Sequence, residues 1–185
     1  MIDETLLEAM ENMGKAVDHV QAQFIGVRTG RANASLVDKI QVEYFGAFVP
    51  LQQLASFQVP EARMLVVKPH DRGSIAAIEK AIQASDLGLS PSNDGVVIRL
   101  NFPMLTEERR KEFVKVVKNM AEDGRITVRN VRRDARKIFE TAKKDGDISQ
   151  DELDRAEKEL EQLTQATVDT IDKAFTRKEH ELLEV

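Results

Sequence analysis

The sequence predicts an α+β protein in which an elongated antiparallel bundle of three long helices is interrupted by a small, β-rich α/β domain. Apolar residues recur at helical spacing in three long segments, near residues 3–29, 106–142 and 149–182. Between the first two segments, residues 31–104 show short alternating runs separated by Gly and Pro. None of the helices is apolar all round, so each must bury one face against the others.

The first helix is predicted over residues 3 to about 29. Its apolar residues follow a 4-3 spacing typical of a buried heptad seam, and Asp3 is the expected N-cap. We expect Gly30 to end this helix in the left-handed conformation that glycine adopts readily. The predicted seam is Leu6, Met10, Met13, Val17, Val20, Phe24 and Val27.

Residues 31–104 are predicted to form the inserted domain. Residues 39–44 alternate apolar and polar side chains, as a half-buried strand does, and Gly46 ends that run. A helix is expected to begin at Asp71, and residues 87–95 are turn-rich. The other expected strands lie around Phe48, around Phe57, at 63–68 and at 96–100, and the buried face of the helix is expected to be Ile75, Ile78, Ala81 and Ile82.

The second helix is predicted to start after Thr106, because Pro103 excludes helix at the residue before it. Gly124 costs up to ~1 kcal/mol in a helix interior, which indicates a bend or close packing there. Ser149 and Glu152 have the capping-box spacing that starts the third helix. The expected seams are Phe113, Val117, Met120, Gly124, Val128, Val131, Ala135, Ile138 and Ala142 in the second helix, and Leu153, Leu160, Leu163, Thr167, Ile171, Ala174 and Phe175 in the third.

The inserted position predicts two domains, a bundle of residues 1–30 and 105–185 and an α/β domain of residues 31–104. The chain passes between them twice. If the first two helices are antiparallel, the two crossings lie side by side and can act as a hinge. The predicted hinge residues are Thr29, Gly30, Arg31, Pro103, Met104 and Leu105.

The second helix carries a row of arginines away from its apolar seam. At ~100° per residue these side chains share one narrow face. Guanidinium groups suit phosphate oxygens better than ammonium groups do, so the row predicts an RNA-facing surface. We call the row the arginine stripe; it consists of Arg125, Arg129, Arg132 and Arg136, with Arg133 and Lys137 widening it.

The distribution of charge bears on that interpretation. Residues 105–137 carry 11 Lys/Arg against 6 Asp/Glu, whereas residues 138–185 carry 7 against 14 and the whole chain has a formal net charge of −5. A charged helix face is usually just solvated, and the acid-rich residues 147–161 are expected to be such a surface. A basic stripe in an acidic chain favours one specific phosphate-rich partner. A helical adaptor that binds an acidic protein through the same arginines is the alternative.

Composition excludes several classes of protein. Without cysteine the chain has no disulfide, thiolate metal site or cysteine nucleophile. No apolar run approaches the ~18 residues that span a membrane, and the acidic start is unlike a secretory signal. The three histidines lie in different elements. We therefore expect a cytoplasmic protein that is not an enzyme, with no catalytic residues, cofactor or metal.

Several motifs run along the whole chain in a fixed order. They are Gly26-Val-Arg-Thr-Gly-Arg-Ala32, Val42-Glu-Tyr44, Ser85-Asp-Leu-Gly-Leu89, Asn93-Asp-Gly95, Leu105-Thr-Glu-Glu-Arg-Arg-Lys111 and Val128-Arg-Asn-Val-Arg-Arg-Asp-Ala135. In these motifs the chain resembles the ribosome recycling factors of bacteria and organelles, over essentially its full length.

The resemblance implies a tRNA-shaped protein with a three-helix bundle and a mobile α/β domain. It implies that the protein binds large-subunit rRNA after translation termination. With elongation factor G, it then promotes dissociation of the post-termination complex, which releases mRNA and tRNA. GTP is used by the elongation factor, so no cofactor is expected in this chain. A monomer with no membrane or DNA partner is expected.

The resemblance also implies an rRNA-binding role for arginines of the bundle. The geometry of the stripe adds one further arginine to this set. Two more are added because they lie where the inserted domain joins the bundle, near the start of the second helix; we call this junction the elbow. The predicted set is Arg110, Arg129 and Arg132 from the family, Arg133 from the stripe, and Arg28 and Arg31 from the elbow.

Overall fold

The computed structural model describes residues 1–184, and within them the chain forms five α-helices and six β-strands. The predicted α+β fold is confirmed: long helices precede and follow a small antiparallel sheet region in the chain. The elements are α1 (Ile2–Ile25), β1 (Gln41–Tyr44), β2 (Ala47–Pro50), α2 (Leu51–Leu54), β3 (Ala55–Glu61), β4 (Met64–Pro69), α3 (Ile75–Gln83), β5 (Pro91–Asn93), β6 (Ile98–Asn101), α4 (Glu107–Lys144) and α5 (Gln150–Leu183).

The chain divides into two compact units, one of residues 1–27 with 111–185 and one of residues 28–110. Each unit has its own hydrophobic core. We call them the bundle and the inserted unit. The sequence placed the domain boundaries after residues 30 and 104, whereas the two units separate after residues 27 and 110.

The bundle is formed by α1, α5 and most of α4, and α4 runs antiparallel to α1. Gly124 of α4 faces Val20 near the end of α1, while Ala135 lines a groove with Ala9 nearer its start. A Cβ atom added at Gly124 would collide with Val20 Cγ2. Of the two predicted causes of this glycine, close packing is therefore confirmed.

Two predictions about the bundle's apolar seams were wrong. Met10 and Ile138 are 51% and 47% exposed, whereas Ala9, Ala16 and Phe139 are buried. The 4-3 spacing selected Met10 and Ile138, each one position away from a residue that faces the core. In α1 the buried stripe passes through small alanines, which let the helices approach closely, and in α4 it passes through Phe139.

The ends of α1 also differ from the prediction. The helix begins at Ile2 with Met1 as its N-cap, so Asp3 lies in the first turn and is not the cap. It ends at Ile25 with Gly26 as the C-cap. Gly30 does take the left-handed conformation, with φ +84°, but in the connection that follows the helix.

The inserted unit contains a four-stranded antiparallel sheet of order β3-β4-β6-β5, a separate β1–β2 hairpin and α3. Ile78 and Ile82 of α3 are fully buried, as predicted, in a core that includes Leu65 and Leu100. Strand β5 was missed, because its residues are Pro-Ser-Asn within a turn-rich segment. It is defined by its pairing with β6 rather than by an apolar pattern.

Candidate nucleic-acid interface

Helix α4 fixes the arginine stripe on a rigid support. The Thr106 hydroxyl accepts a hydrogen bond from the Arg109 backbone N–H at 3.2 Å, which caps the start of the helix as predicted. The inner face of α4 is buried at Val117, Val128 and Phe139. Because that face is held in the core, the arginines are directed away from it or along the neighbouring helix α5.

Arg125 is the most buried member of the stripe, with a side chain only 17% exposed. Its Nε donates to Asp172 Oδ1 of α5 at 2.7 Å and its Nη1 to Glu122 Oε2 at 3.0 Å. Burial acts to lower the pKa of Arg125, but the hydrogen bonds to the two carboxylates outweigh burial and raise it. This arginine ties α4 to α5 and is poorly placed to meet an external ligand.

Arg132 and Arg136 also contact α5, but from solvent-exposed positions. Arg132 Nη1 lies 3.3 Å from Glu161 Oε2, and its side chain is 39% exposed. Arg136 Nε lies 3.2 Å from Glu157 Oε1 and 3.0 Å from Glu140 Oε1, and its side chain is 60% exposed. Exposed pairs of this kind contribute about 0.2–1 kcal/mol. Both guanidinium groups can therefore exchange partners at low cost.

Arg129 and Arg133 are the stripe region's outer side chains. Arg129 Nη1 lies 3.3 Å from Glu122 Oε1, on its own helix, and the side chain is half exposed. Arg133 is 73% exposed, and its nearest carboxylate, that of Asp134, is 3.9 Å away. These two arginines and Arg132 form an exposed guanidinium surface along α4.

Residues 147–161 were predicted to be a solvated surface; Glu161 is exposed and Glu157 is half-buried, but their ion pairs were not predicted. Both are paired with arginines of α4. A signal was available, because Glu157 and Glu161 have the same i, i+4 spacing as Arg132 and Arg136. Two antiparallel helices with opposite charges at matching spacing form cross-helix pairs.

The predicted elbow arginines differ in environment. Arg28 is partly buried and its Nη2 donates to the Pro103 carbonyl at 2.7 Å, which links the two crossings of the chain. Its Nε is buried and has no hydrogen-bond partner among the described residues. Burial lowers its pKa. Arg31 is exposed and Arg110 is half-buried.

Gly30 and Leu105 of the same two segments lie close together. A methyl group built on Gly30 would lie 3.7 Å from Leu105 Cγ, at ordinary van der Waals distance. With the hydrogen bond from Arg28 to Pro103, this proximity places the predicted hinge segments next to each other within the inserted unit.

Two further features of the described chain bear on other functions. Residues 1–184 contain no group of three or more His, Asp or Glu side chains that could hold a metal ion. Within the same residues, no helix has both the length and the hydropathy needed to cross a membrane.

Known proteins of one family are similar to this chain over its whole length. A profile of the family described as "Ribosome recycling factor" matches residues 20–183. The ribosome-recycling factor of Thermobifida fusca is 56% identical over 185 residues, which cover 100% of both chains. That of Kineococcus radiotolerans is 54% identical, again with 100% of both chains covered.

Solved structures give the same result. A solution structure of the ribosome recycling factor has a TM-score of 0.82 at 41% identity, covering 100% of this chain and 98% of that one. A second match has a TM-score of 0.71 at 42% identity and covers 99% of each chain. It comes from models of the T. thermophilus ribosome recycling factor and the E. coli elongation factor G bound to the E. coli post-termination complex.

Proposed function

The chain belongs to the ribosome recycling factor family, and from that premise we propose how it acts. It binds the large ribosomal subunit after translation termination. Together with elongation factor G and GTP, it promotes dissociation of the post-termination complex into subunits, which releases mRNA and tRNA. It acts as a cytoplasmic monomer without a cofactor of its own. It is not an enzyme, since GTP is hydrolysed by the elongation factor.

The observation that carries this proposal is the exposed guanidinium surface of Arg129, Arg132 and Arg133 on α4. These side chains are 50%, 39% and 73% exposed, on a helix whose opposite face is locked in the core. Planar guanidinium groups bind phosphate oxygens in a bidentate manner. We assign these three arginines as the rRNA anchor, and we expect the contact to weaken with salt because phosphate binding releases counterions.

The elbow arginines, Arg28 and Arg31, and Arg110, which the family resemblance predicts, have separate roles in the proposal. Arg31 and Arg110 extend the rRNA contact beyond the stripe. Arg28 acts indirectly, because one guanidinium nitrogen is used by the Pro103 carbonyl at 2.7 Å and another is buried. It holds the two crossings of the chain together.

The crossings form the joint of the proposed mechanism. Residues 29–31 and 103–105 are held together by the hydrogen bond from Arg28 to Pro103, and Gly30 lies close to Leu105. We propose that the bundle stays anchored while the elongation factor moves the inserted unit, and that these segments, which lie inside that unit near its chain ends at residues 28 and 110, form the joint. Since the chain has no cysteine, an engineered disulfide between the two units provides a reversible lock. The oxidised protein should bind ribosomes without splitting them, and splitting at the normal rate by the oxidised form would remove the joint from the mechanism.

Subunit splitting of purified post-termination ribosomes tests the proposed function as a whole. Light scattering should fall only when this chain, elongation factor G and GTP are all present. A non-hydrolysable GTP analogue in place of GTP should block the fall. If splitting proceeds equally without the chain, the proposed function is wrong.

The adaptor alternative predicts a different partner, an acidic protein segment. The pairs of Arg132 and Arg136 with α5 show that these guanidinium groups accept carboxylates as partners. Nuclease treatment separates the two functions. Ribosome-associated chain should be released by RNA digestion if rRNA is the anchor, whereas a complex with an acidic protein would survive the treatment.

A further inference from the structure

Two glutamates of α5 form ion pairs with arginines of the stripe. Glu161 Oε2 lies 3.3 Å from Arg132 Nη1, and Glu157 Oε1 lies 3.2 Å from Arg136 Nε. The four side chains line one groove between α4 and α5. We call Glu157 and Glu161 the carboxylate pair.

We propose that the carboxylate pair determines the specificity of the arginine stripe for its RNA. In the free protein Glu161 pairs with Arg132 and Glu157 pairs with Arg136, which also contacts Glu140 of its own helix at 3.0 Å. An RNA must displace the two carboxylates of α5 to gain full contact with these arginines. A folded RNA whose phosphates are fixed at matching positions can displace both carboxylates together and form hydrogen bonds with both arginines. A flexible polyanion is repelled by the carboxylates and does not gain both contacts at once. This inference rests on the proposed rRNA-binding function.

The exposure of these pairs makes the exchange feasible. Carboxylate and phosphate oxygens accept the same charge-assisted hydrogen bonds from a guanidinium group. The side chains of Arg132 and Glu161 are 39% and 61% exposed, so their pair is solvated and weak. Arg125 and Asp172 form the contrasting pair, because Arg125 is only 17% exposed and donates to two carboxylates. The stripe therefore has one arginine, Arg125, with fixed partners, and other arginines whose carboxylate partners can be replaced by phosphate.

The carboxylates also act as a repulsive element against unsuitable partners. Specificity is a difference of affinities, and a negative charge placed beside a phosphate-binding group lowers the affinity of every polyanion that does not displace it. Glu157 and Glu161 stand four residues apart on α5, opposite arginines that are also four residues apart on α4. Matching spacing sets a fixed distance between the two sites at which phosphates must arrive.

The test uses the full-length chain with Glu157→Gln and Glu161→Gln combined. Glutamine keeps the size of the side chain and removes its charge. The matched control combines Glu159→Gln and Asp169→Asn, which remove the same charge from α5 at exposed carboxylates that, within the described residues, form no ion pair with the stripe. Circular dichroism checks that helical content is equal. Binding to purified large ribosomal subunits and to polyuridylate is measured at one salt concentration.

We expect the carboxylate-pair variant to bind polyuridylate about two- to fivefold more tightly than the control variant, as the loss of a weak competing pair implies. Affinity for the large subunit should rise less, so the affinity for the large subunit divided by the affinity for polyuridylate should fall. An unchanged ratio, or weaker binding to both RNAs, overturns the inference while leaving the proposed function intact. Wild-type chain that does not bind large subunits would instead overturn the proposed function.

Discussion

The bundle and the inserted unit present opposite kinds of surface. The bundle exposes guanidinium groups along α4, most of all at Arg133. The inserted unit, residues 28–110, carries 10 Lys/Arg and 9 Asp/Glu, and its most exposed large apolar side chains are Phe45 and Phe48, at 89% and 72%. Phe45 also has φ +50°, a strained value for a bulky residue. The difference indicates that exposed guanidinium groups are concentrated along α4 of the bundle, whereas the inserted unit exposes large apolar side chains.

The largest effect should follow from reversing the charge of the proposed anchor. A variant with Arg129→Glu, Arg132→Glu and Arg133→Glu should lose factor-dependent ribosome splitting by at least about a hundredfold, because hydrogen bonds to charged groups contribute about 1.5–3 kcal/mol each. The measurement is the rate of splitting with elongation factor G and GTP.

The matched control reverses three exposed cations on α5, Arg155→Glu, Lys173→Glu and Arg177→Glu. It changes the net charge equally but leaves the anchor intact, so it should retain most of the activity. Equal losses in the two variants would show that net charge matters and that the location of the arginines does not.

A smaller effect is expected on stability, where substitution by alanine should have opposite consequences at two helix glycines of the bundle. Gly124→Ala forces a methyl group against Val20, and overpacking of this kind costs about 1–3 kcal/mol, partly offset by the helix propensity of alanine. We expect a net loss of about 1 kcal/mol in the free energy of unfolding, measured by urea denaturation. Adding Val20→Ala should recover part of the loss through coupling between the two sites.

Gly14→Ala is the matched control, since a Cβ atom there meets nothing within 4 Å. This substitution should stabilise the protein by about 0.5–1 kcal/mol. If the two glycine variants shift the free energy of unfolding in the same direction, the close packing at Gly124 does not exclude a larger side chain there.

The smallest effect concerns acid stability of the inserted unit. Backbone N–H groups of Val97 and Val96 and the Arg99 guanidinium donate to Asp94, which lowers its pKa from 3.8 to about 2. A carboxyl with a depressed folded-state pKa contributes stability above its unfolded pKa and loses it as the pH falls through the folded value. The contribution of Asp94 should therefore disappear between about pH 4 and pH 2.

Asp94→Asn should make the inserted unit less stable at about pH 5 and less sensitive to pH within that window. Tyr44 is the one tyrosine of the chain and lies in β1, and the chain has no tryptophan. Tyrosine fluorescence during urea denaturation therefore reports on the inserted unit. Identical pH profiles for wild type and variant would contradict the role given to Asp94.

Patterns that depend on local chemistry were predicted well from the sequence. The capping box of Ser149 and Glu152, the start of α4 after Thr106 and the buried face of α3 all follow from residue type and spacing. The exposed arginines of α4 were identified by the same periodicity. Their actual role in binding RNA stays a prediction.

Features that depend on a partner element were missed. Strand β5 has a polar sequence and exists through its pairing with β6. The burial of Ala9 in place of Met10 depends on how closely α4 approaches α1. The pairing of Glu161 with Arg132 depends on the rotation of α5 about its axis. None of these relations is encoded in one segment alone, because each requires the geometry of two.

The most direct test of the account is co-sedimentation of the chain with purified large ribosomal subunits over a series of salt concentrations, comparing wild type with Arg132→Gln. We predict saturable wild-type binding that weakens as salt rises. The variant should bind more weakly. The slope of its log affinity against log salt concentration should be smaller in magnitude by about one, which corresponds to the loss of one phosphate contact. Wild-type binding that is insensitive to salt, or a variant with the same affinity and slope as wild type, would contradict the claim that the arginines of α4 anchor the bundle to rRNA.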